Sequence, residues 1–155
     1  MRVHIGGDHA AYELLGELVS FLEAEGHEVT NHGPHQLDPE DDYPVFVLRA
    51  AEAVAADPES LGVVLGGSGN GEQMAANKVA GIRAALCYNA ELATLAREHN
   101  NAQVISIGGR MNTVDEAKAM VAAFLATPFS GAPRHQRRID MVSAYEASGT
   151  LPPEA

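Results

Sequence analysis

The chain has 155 residues, a formal net charge of −11, and 46% hydrophobic and 20% charged residues. That length suits one domain able to bury its own core, the balance is that of a compact α/β protein and not of a disordered or coiled one, and the acidic charge argues against nucleic acid, which needs a broad basic surface. The one cysteine, Cys87, cannot form an internal disulfide and follows an apolar run; a buried structural thiol, a cytoplasmic setting and no membrane span or apolar leader are the expectations.

In chain order, Arg2-Val3-His4-Ile5 followed by Gly6-Gly7 predicts a strand running into a tight turn. Leu14, Leu15, Leu18, Val19 and Leu22 then recur at helical spacing, giving a helix through about Glu25. Asp8 is equally suited to cap that helix or to stand in a site at the strand's carboxyl end, where ligands bind in open α/β sheets. His9 has no capping task and favours the site. Gly26 to Gly33 predicts a turn and a second strand. Pro34 to Pro44 reads as a solvated acidic loop, because His32, His35, Asp38, Glu40, Asp41 and Asp42 match no ligand spacing for a metal. Tyr43-Pro44 opens a helix to about Ala56, with proline at a tolerated early position.

Leu61 to Leu65 is an apolar run without polar alternation, as in a strand covered on both faces. Gly66-Gly67-Ser68-Gly69-Asn70-Gly71 follows, and helix formers resume at Glu72 and continue to Lys78. A strand, a glycine loop and a helix start bring backbone N–H groups to one point without obstructing Cβ atoms, so the loop is suited to an anion or an oxyanion. Ser68 and Glu72 carry the reactive groups there. Glu72 either complements the helix dipole or acts as a base beside oxyanion donors.

Gly81 to Cys87 predicts a fourth strand, Asn89 to Glu98 a helix, and Gln103 to Ile107 a fifth strand ending in Gly108-Gly109-Arg110. A helix from about Val114 to Ala126 and a last one from Arg134 to about Ala147 complete the chain, leaving 149–155 as a disordered tail after a single domain over 1–148. The rhythm of strand, glycine and helix gives an α/β fold, a three-layer α/β/α sandwich around a Rossmann-like five-stranded parallel sheet. Dinucleotide binding is not supported: the first turn lacks G-x-G-x-x-G, and the central loop has glycines at 67, 69 and 71 and no Lys-Ser/Thr. Arg134-His135-Gln136-Arg137-Arg138 concentrates three of the ten basic residues in an acidic chain. It is either a helix-surface cluster paired with nearby acids or a grip on a small anion.

Together, Gly6-Gly7-Asp8-His9-Ala10-Ala11, the 66–71 glycine loop, Ala75-Ala76-Asn77-Lys78, Gly81-Ile82-Arg83-Ala84, His99-Asn100-Asn101 and Arg134 to Arg138 resemble the type B ribose-5-phosphate isomerases, over about residues 1–145. In one branch of that family a cysteine base stands where this chain has Leu65. The resemblance is to the other branch, in which the glutamate at Glu72 takes the proton. It implies that Ser68 assists proton transfer, that His99 opens the sugar ring with Asp8 nearby, and that Asn100 holds sugar oxygens. Gly67, Gly69, Asn70 and Gly71 would supply the substrate loop, His9, Arg110, Arg134 and Arg138 the phosphate contacts, and Tyr43 a wall of the site. No cofactor or metal is implied. The expected partners are a small sugar phosphate and further copies of the chain, as a homodimer or homotetramer with the site at the subunit interface. The function implied is interconversion of D-ribose 5-phosphate and D-ribulose 5-phosphate through a cis-enediolate. The same chemistry on a hexose or tetrose phosphate, and a phosphosugar-binding module without turnover, are the alternatives.

Overall fold

The computed structural model describes residues 1–154. Strands β1 (Arg2–Gly6), β2 (Glu28–Asn31), β3 (Ser60–Gly66), β4 (Ala84–Leu86) and β5 (Val104–Gly108) form one sheet in the order β2-β1-β3-β5-β4, with every neighbouring pair parallel. The helices are α1 (Tyr12–Ala24), α2 (Tyr43–Ala56), α3 (Asn70–Ala76), α4 (Ala90–Asn100), α5 (Val114–Ala126) and α6 (Pro133–Ser148), with one 3₁₀ turn at His9–Ala11.

All seven residues of β3 are buried, which is why its sequence shows no alternation. Val3, Ile5, Leu61, Val63, Leu65, Ile105 and Ile107 pack with Leu14, Leu18 and Leu22 of α1, Ala93 of α4 and Met120 and Phe124 of α5. Val64, Ala84 and Val104 pack on the other side with Val47, Ala50, Ala51 and Val54 of α2 and Ala76 of α3. These two cores make the three-layer sandwich. Cys87 belongs to the first, and burial pushes its thiol up to about 11, in keeping with a structural role.

The chain leaves β1 toward β2 and then crosses back to β3 on the other side of β1. The loops after β1 and β3 therefore diverge and open a crevice at their carboxyl ends, the ordinary ligand position in an open α/β sheet. The fourth strand is shorter than its sequence predicts. Residues 79–82 are drawn into turns by Val79 N–H to Ala76 and Ile82 N–H to Val79, so pairing with β5 covers Ala84 to Leu86 alone. Gly149 ends α6 in the left-handed region, and 150–154 carry no helix or strand.

Candidate active site

The crevice is a cleft of about 450 Å³ lined by Asp8, His9, Ala10, Tyr43, Gly67, Ser68, Gly71, Glu72, Arg110 and Met111. Its floor is the glycine loop. Gly69 takes φ 84° at the start of α3, and its carbonyl accepts a 2.7 Å hydrogen bond from the buried Ser106 hydroxyl of β5. Gly109 N–H to Gly66 and Arg110 N–H to Gly67, at 2.7 and 3.0 Å, stitch the loop after β5 onto the loop after β3. Asn70 donates to Ser68 Oγ from its backbone N–H at 3.2 Å, leaving the exposed Ser68 hydroxyl at the cleft.

Glu72 is only 4% exposed although it lies in the first turn of a surface helix. Its carboxyl group folds back over the end of β3, into the space that a side chain at position 66 would fill: a Cβ on Gly66 would collide with it. Burial raises the pKa of Glu72 and the nearby Asp8 charge adds to this, against hydrogen bonds from the N–H groups of Glu72 itself and Gly69. The result is a poorly solvated carboxyl group at the mouth of an anion-suited loop, the environment that makes a carboxylate a stronger base. Tyr43, at the start of α2, lies against Gly71, where a Cβ would come within 2.7 Å of its ring and hydroxyl.

Asp8 both caps and lines the cleft. It is 7% exposed, and its Oδ1 accepts from Ala10 N–H at 2.9 Å across the 3₁₀ turn. His9 stands beside it, and the Arg110 side chain crosses Gly67 from the other wall. His9 has a raised pKa, chiefly through its hydrogen bond to Asp41 and further through the Asp8 charge, while partial burial and Arg110 oppose the shift. His9, whose pKa is raised, and Arg110 thus face the same cleft as Glu72 and Ser68, a pairing suited to an anion.

His99, Asn100, Arg134 and Arg138 do not line this cleft. Helix α4 returns the chain from the carboxyl end of β4 to the amino end of β5, so its last residues, His99 and Asn100, lie at the opposite end of the strands from Glu72. The five residues of β5 alone place the two ends about 17 Å apart. His99 instead stacks on His135 at 4.3 Å between ring centroids, which sets the exposed Arg134 and Arg138 of α6 beside it. Arg83 donates to the Asn100 and Asn101 carbonyls at 2.9 Å each, and Arg97 to the Ala102 carbonyl at 2.6 Å, so this second cluster is a held structure. The cleft and this second cluster therefore stand at opposite ends of the sheet.

The model of the Ribose/Galactose Isomerase family matches residues 3–142. The chain belongs to this family. Ribose-5-phosphate isomerase B of Mycolicibacterium paratuberculosis is 58% identical over 153 residues, covering 99% of this chain and 96% of the relative. The Mycobacterium tuberculosis (strain ATCC 25618 / H37Rv) protein of the same name is 57% identical, with 99% and 94% covered. Among solved structures, ribose-5-phosphate isomerase B of Mycoplasma genitalium with bound ribulose-5-phosphate superposes with a TM-score of 0.92 at 38% identity, covering 95% of this chain and 97% of the other. The chain is an aldose-ketose isomerase by this kinship.

Two residues that hold the walls of the cleft carry no clear signal in the sequence. The acidic loop is solvated at Asp38, Glu40 and Asp42, but the Asp41 side chain is 8% exposed and meets His9. Among the described residues, Asp8, His9 and Asp41 are the one group of three carboxylate or imidazole side chains close enough to share a cation, with atoms within 4.8 Å of one another. Their short contacts are hydrogen bonds, from His9 to Asp41 and from Ala10 to Asp8. The other is Ser106, a hydroxyl inside an apolar strand, whose only signal is its polar character at a position where β5 is otherwise aliphatic. Among the described residues no helix is long and apolar enough to cross a membrane.

Proposed function

We propose that this chain interconverts D-ribose 5-phosphate and D-ribulose 5-phosphate by proton transfer, with Glu72 as the base. The observation that carries the reading is the buried Glu72 carboxyl group, folded over Gly66 beside Ser68 and facing a cleft that holds His9 and Arg110. Removing the C2 proton of the open-chain aldose gives a cis-enediolate, and returning a proton to C1 gives the ketose. One carboxylate on one face performs both transfers, while the N–H groups of the glycine loop and the Ser68 hydroxyl stabilise the charge that develops on oxygen. His9 and Arg110 hold the phosphate by charge-assisted bonds, and that remote grip positions the reacting carbons.

The second cluster completes the site from another copy of the chain. His99 suits ring opening, Asn100 the sugar hydroxyls, and Arg134 and Arg138 the phosphate, yet all stand about a strand's length from Glu72 within one chain. A symmetric dimer that brings the second cluster of each copy onto the cleft of the other supplies both sites. Helix α6 favours such contact: only His135 and Ile139 of its 16 residues are buried, and Met141, Val142 and Tyr145 are exposed.

The family spans ribose and galactose isomerases, so a six-carbon sugar phosphate is the nearest competing substrate. The test is ribulose 5-phosphate formation by purified protein in excess chelator, beside a panel of other aldose phosphates. Turnover greatest on ribose 5-phosphate is the expected result. A hexose phosphate turned over faster would replace the substrate, and silence across the panel would replace the reaction by binding alone.

A further inference from the structure

His9 is gripped twice by one atom. Asp41 Oδ1 accepts the His9 backbone N–H at 3.0 Å and lies 2.7 Å from its ring Nδ1. A carboxylate only accepts, so Nδ1 carries the proton, and Nε2 is the ring nitrogen left to meet a ligand. In a neutral imidazole that nitrogen would present a lone pair to a phosphate oxygen and repel it; only the imidazolium presents N–H. Orientation and protonation of His9 therefore both depend on Asp41.

We propose that Asp41 is a positioning residue of the substrate site, which holds the His9 ring by Nδ1 and keeps Nε2 a charged donor to the sugar phosphate. The proposal rests on the reading of His9 as a phosphate ligand. A second observation sets Asp41 apart from an ordinary loop acid. Its other oxygen, Oδ2, is buried and has no hydrogen-bond partner among the described residues. An unpartnered buried carboxylate oxygen costs stability, and such costs are retained where function requires the group. The charged and titratable groups facing His9 are Asp8 on its own turn, Asp41 from the loop before α2 and Arg110 from the loop after β5, with Tyr43 and Glu72 lining the same cleft. The two carboxylates favour the cation and Arg110 opposes it; of these, the bond to Asp41 acts most strongly.

Asp41→Asn tests this, because the amide oxygen can still accept from Nδ1 while the charge is gone. The KM for ribose 5-phosphate at about pH 8 is expected to rise about tenfold. The difference from wild type should shrink toward about twofold near pH 6, where an ordinary imidazole is protonated without help, and kcat should change less than KM. Asp41→Glu, which keeps the charge, should recover part of the loss. Nitrogen chemical shifts of His9 in the substrate-free protein should give a midpoint above the ordinary imidazole value, lowered in Asp41→Asn. A wild-type midpoint at or below that value overturns the proposal even if no variant folds. So does a KM–pH profile of Asp41→Asn that overlays wild type with only a lower melting temperature, as a structural role predicts. His9→Ala separates the two layers. If it raises KM while Asp41→Asn does not, the role of Asp41 alone fails; if it leaves KM unchanged, the phosphate role of His9 fails and this inference with it.

Discussion

Replacing Gly66 by alanine tests the position of the base without touching any reactive group. A methyl there would come within 2.6 Å of all three atoms of the Glu72 carboxyl group, whereas ordinary contact begins at 3.4 Å. The nearest carboxyl oxygen, at 1.8 Å, must therefore retreat by about 1.6 Å, and a displacement of about 1 Å at a reacting centre already costs on the order of 100-fold in rate. Gly66 closes β3 without a positive φ, so the chain itself accepts an alanine. On the opposite side of the ledger, the displaced carboxyl group moves toward water, so thermal stability should change little. The assay is kcat and KM for ribose 5-phosphate beside a thermal melt. Gly66→Ala is expected to lose about 100-fold in kcat with KM and melting temperature close to wild type. A folded variant with near-normal kcat would refute the placement of the base over the strand end.

Glu72→Gln should lose on the order of a thousandfold in kcat, and it should also melt higher than wild type at neutral pH. The folded pKa of Glu72 is raised, so its contribution to stability is whole below the ordinary carboxyl value and falls as pH rises through the folded pKa; glutamine removes that fall, and the gain over wild type should vanish in acid. His4 and His32 act in the other direction. Burial lowers both, and the two rings share a 3.0 Å contact that a second proton would break, so wild-type stability should drop as pH falls below about 6.5, and His32→Asn should drop less in the same pH series of melts. Ser106→Ala strands the Gly69 carbonyl and should cost about 1–3 kcal/mol in denaturant unfolding while lowering kcat/KM. With the site shared across a symmetric dimer as proposed, mixing Glu72→Gln with His99→Asn after unfolding and refolding should restore about a quarter of wild-type activity, because half of such dimers would be mixed and each would have one intact site; no recovery would argue for a site within one chain.

The parts of the candidate site written in consecutive residues were legible in the sequence. The apolar run of β3, the glycines after it and Glu72 in the next turn lie within one stretch, and the structure turns that stretch into a strand end, a loop with Gly69 in the left-handed region, and a buried carboxyl group. Asp8 both caps the turn and lines the cleft, since a 3₁₀ turn at a strand end puts the capped N–H beside the crevice. Asp41 was not legible because nothing local distinguishes it from Asp38, Glu40 and Asp42; the path of the loop alone buries it against His9. The separation of His99 from Glu72 follows from topology, which carries α4 antiparallel to the strands, and no residue type in the motif encodes it. The guanidinium groups of Arg83 and Arg97 are spent on the carbonyls at and just after the end of α4, contacts that no local pattern encodes.

The most direct test of the account follows the substrate's own proton. Ribose 5-phosphate is incubated in D2O with wild type and with Glu72→Gln, and proton NMR records deuterium at C2 of the aldose and C1 of the ketose. Wild type is expected to place solvent deuterium at part of C1 of ribulose 5-phosphate, the rest being C2 hydrogen returned by the same carboxyl group, and Glu72→Gln is expected to bind the sugar phosphate but neither exchange nor isomerise it. Exchange or isomerisation by Glu72→Gln at the wild-type rate would contradict an enediolate formed by Glu72.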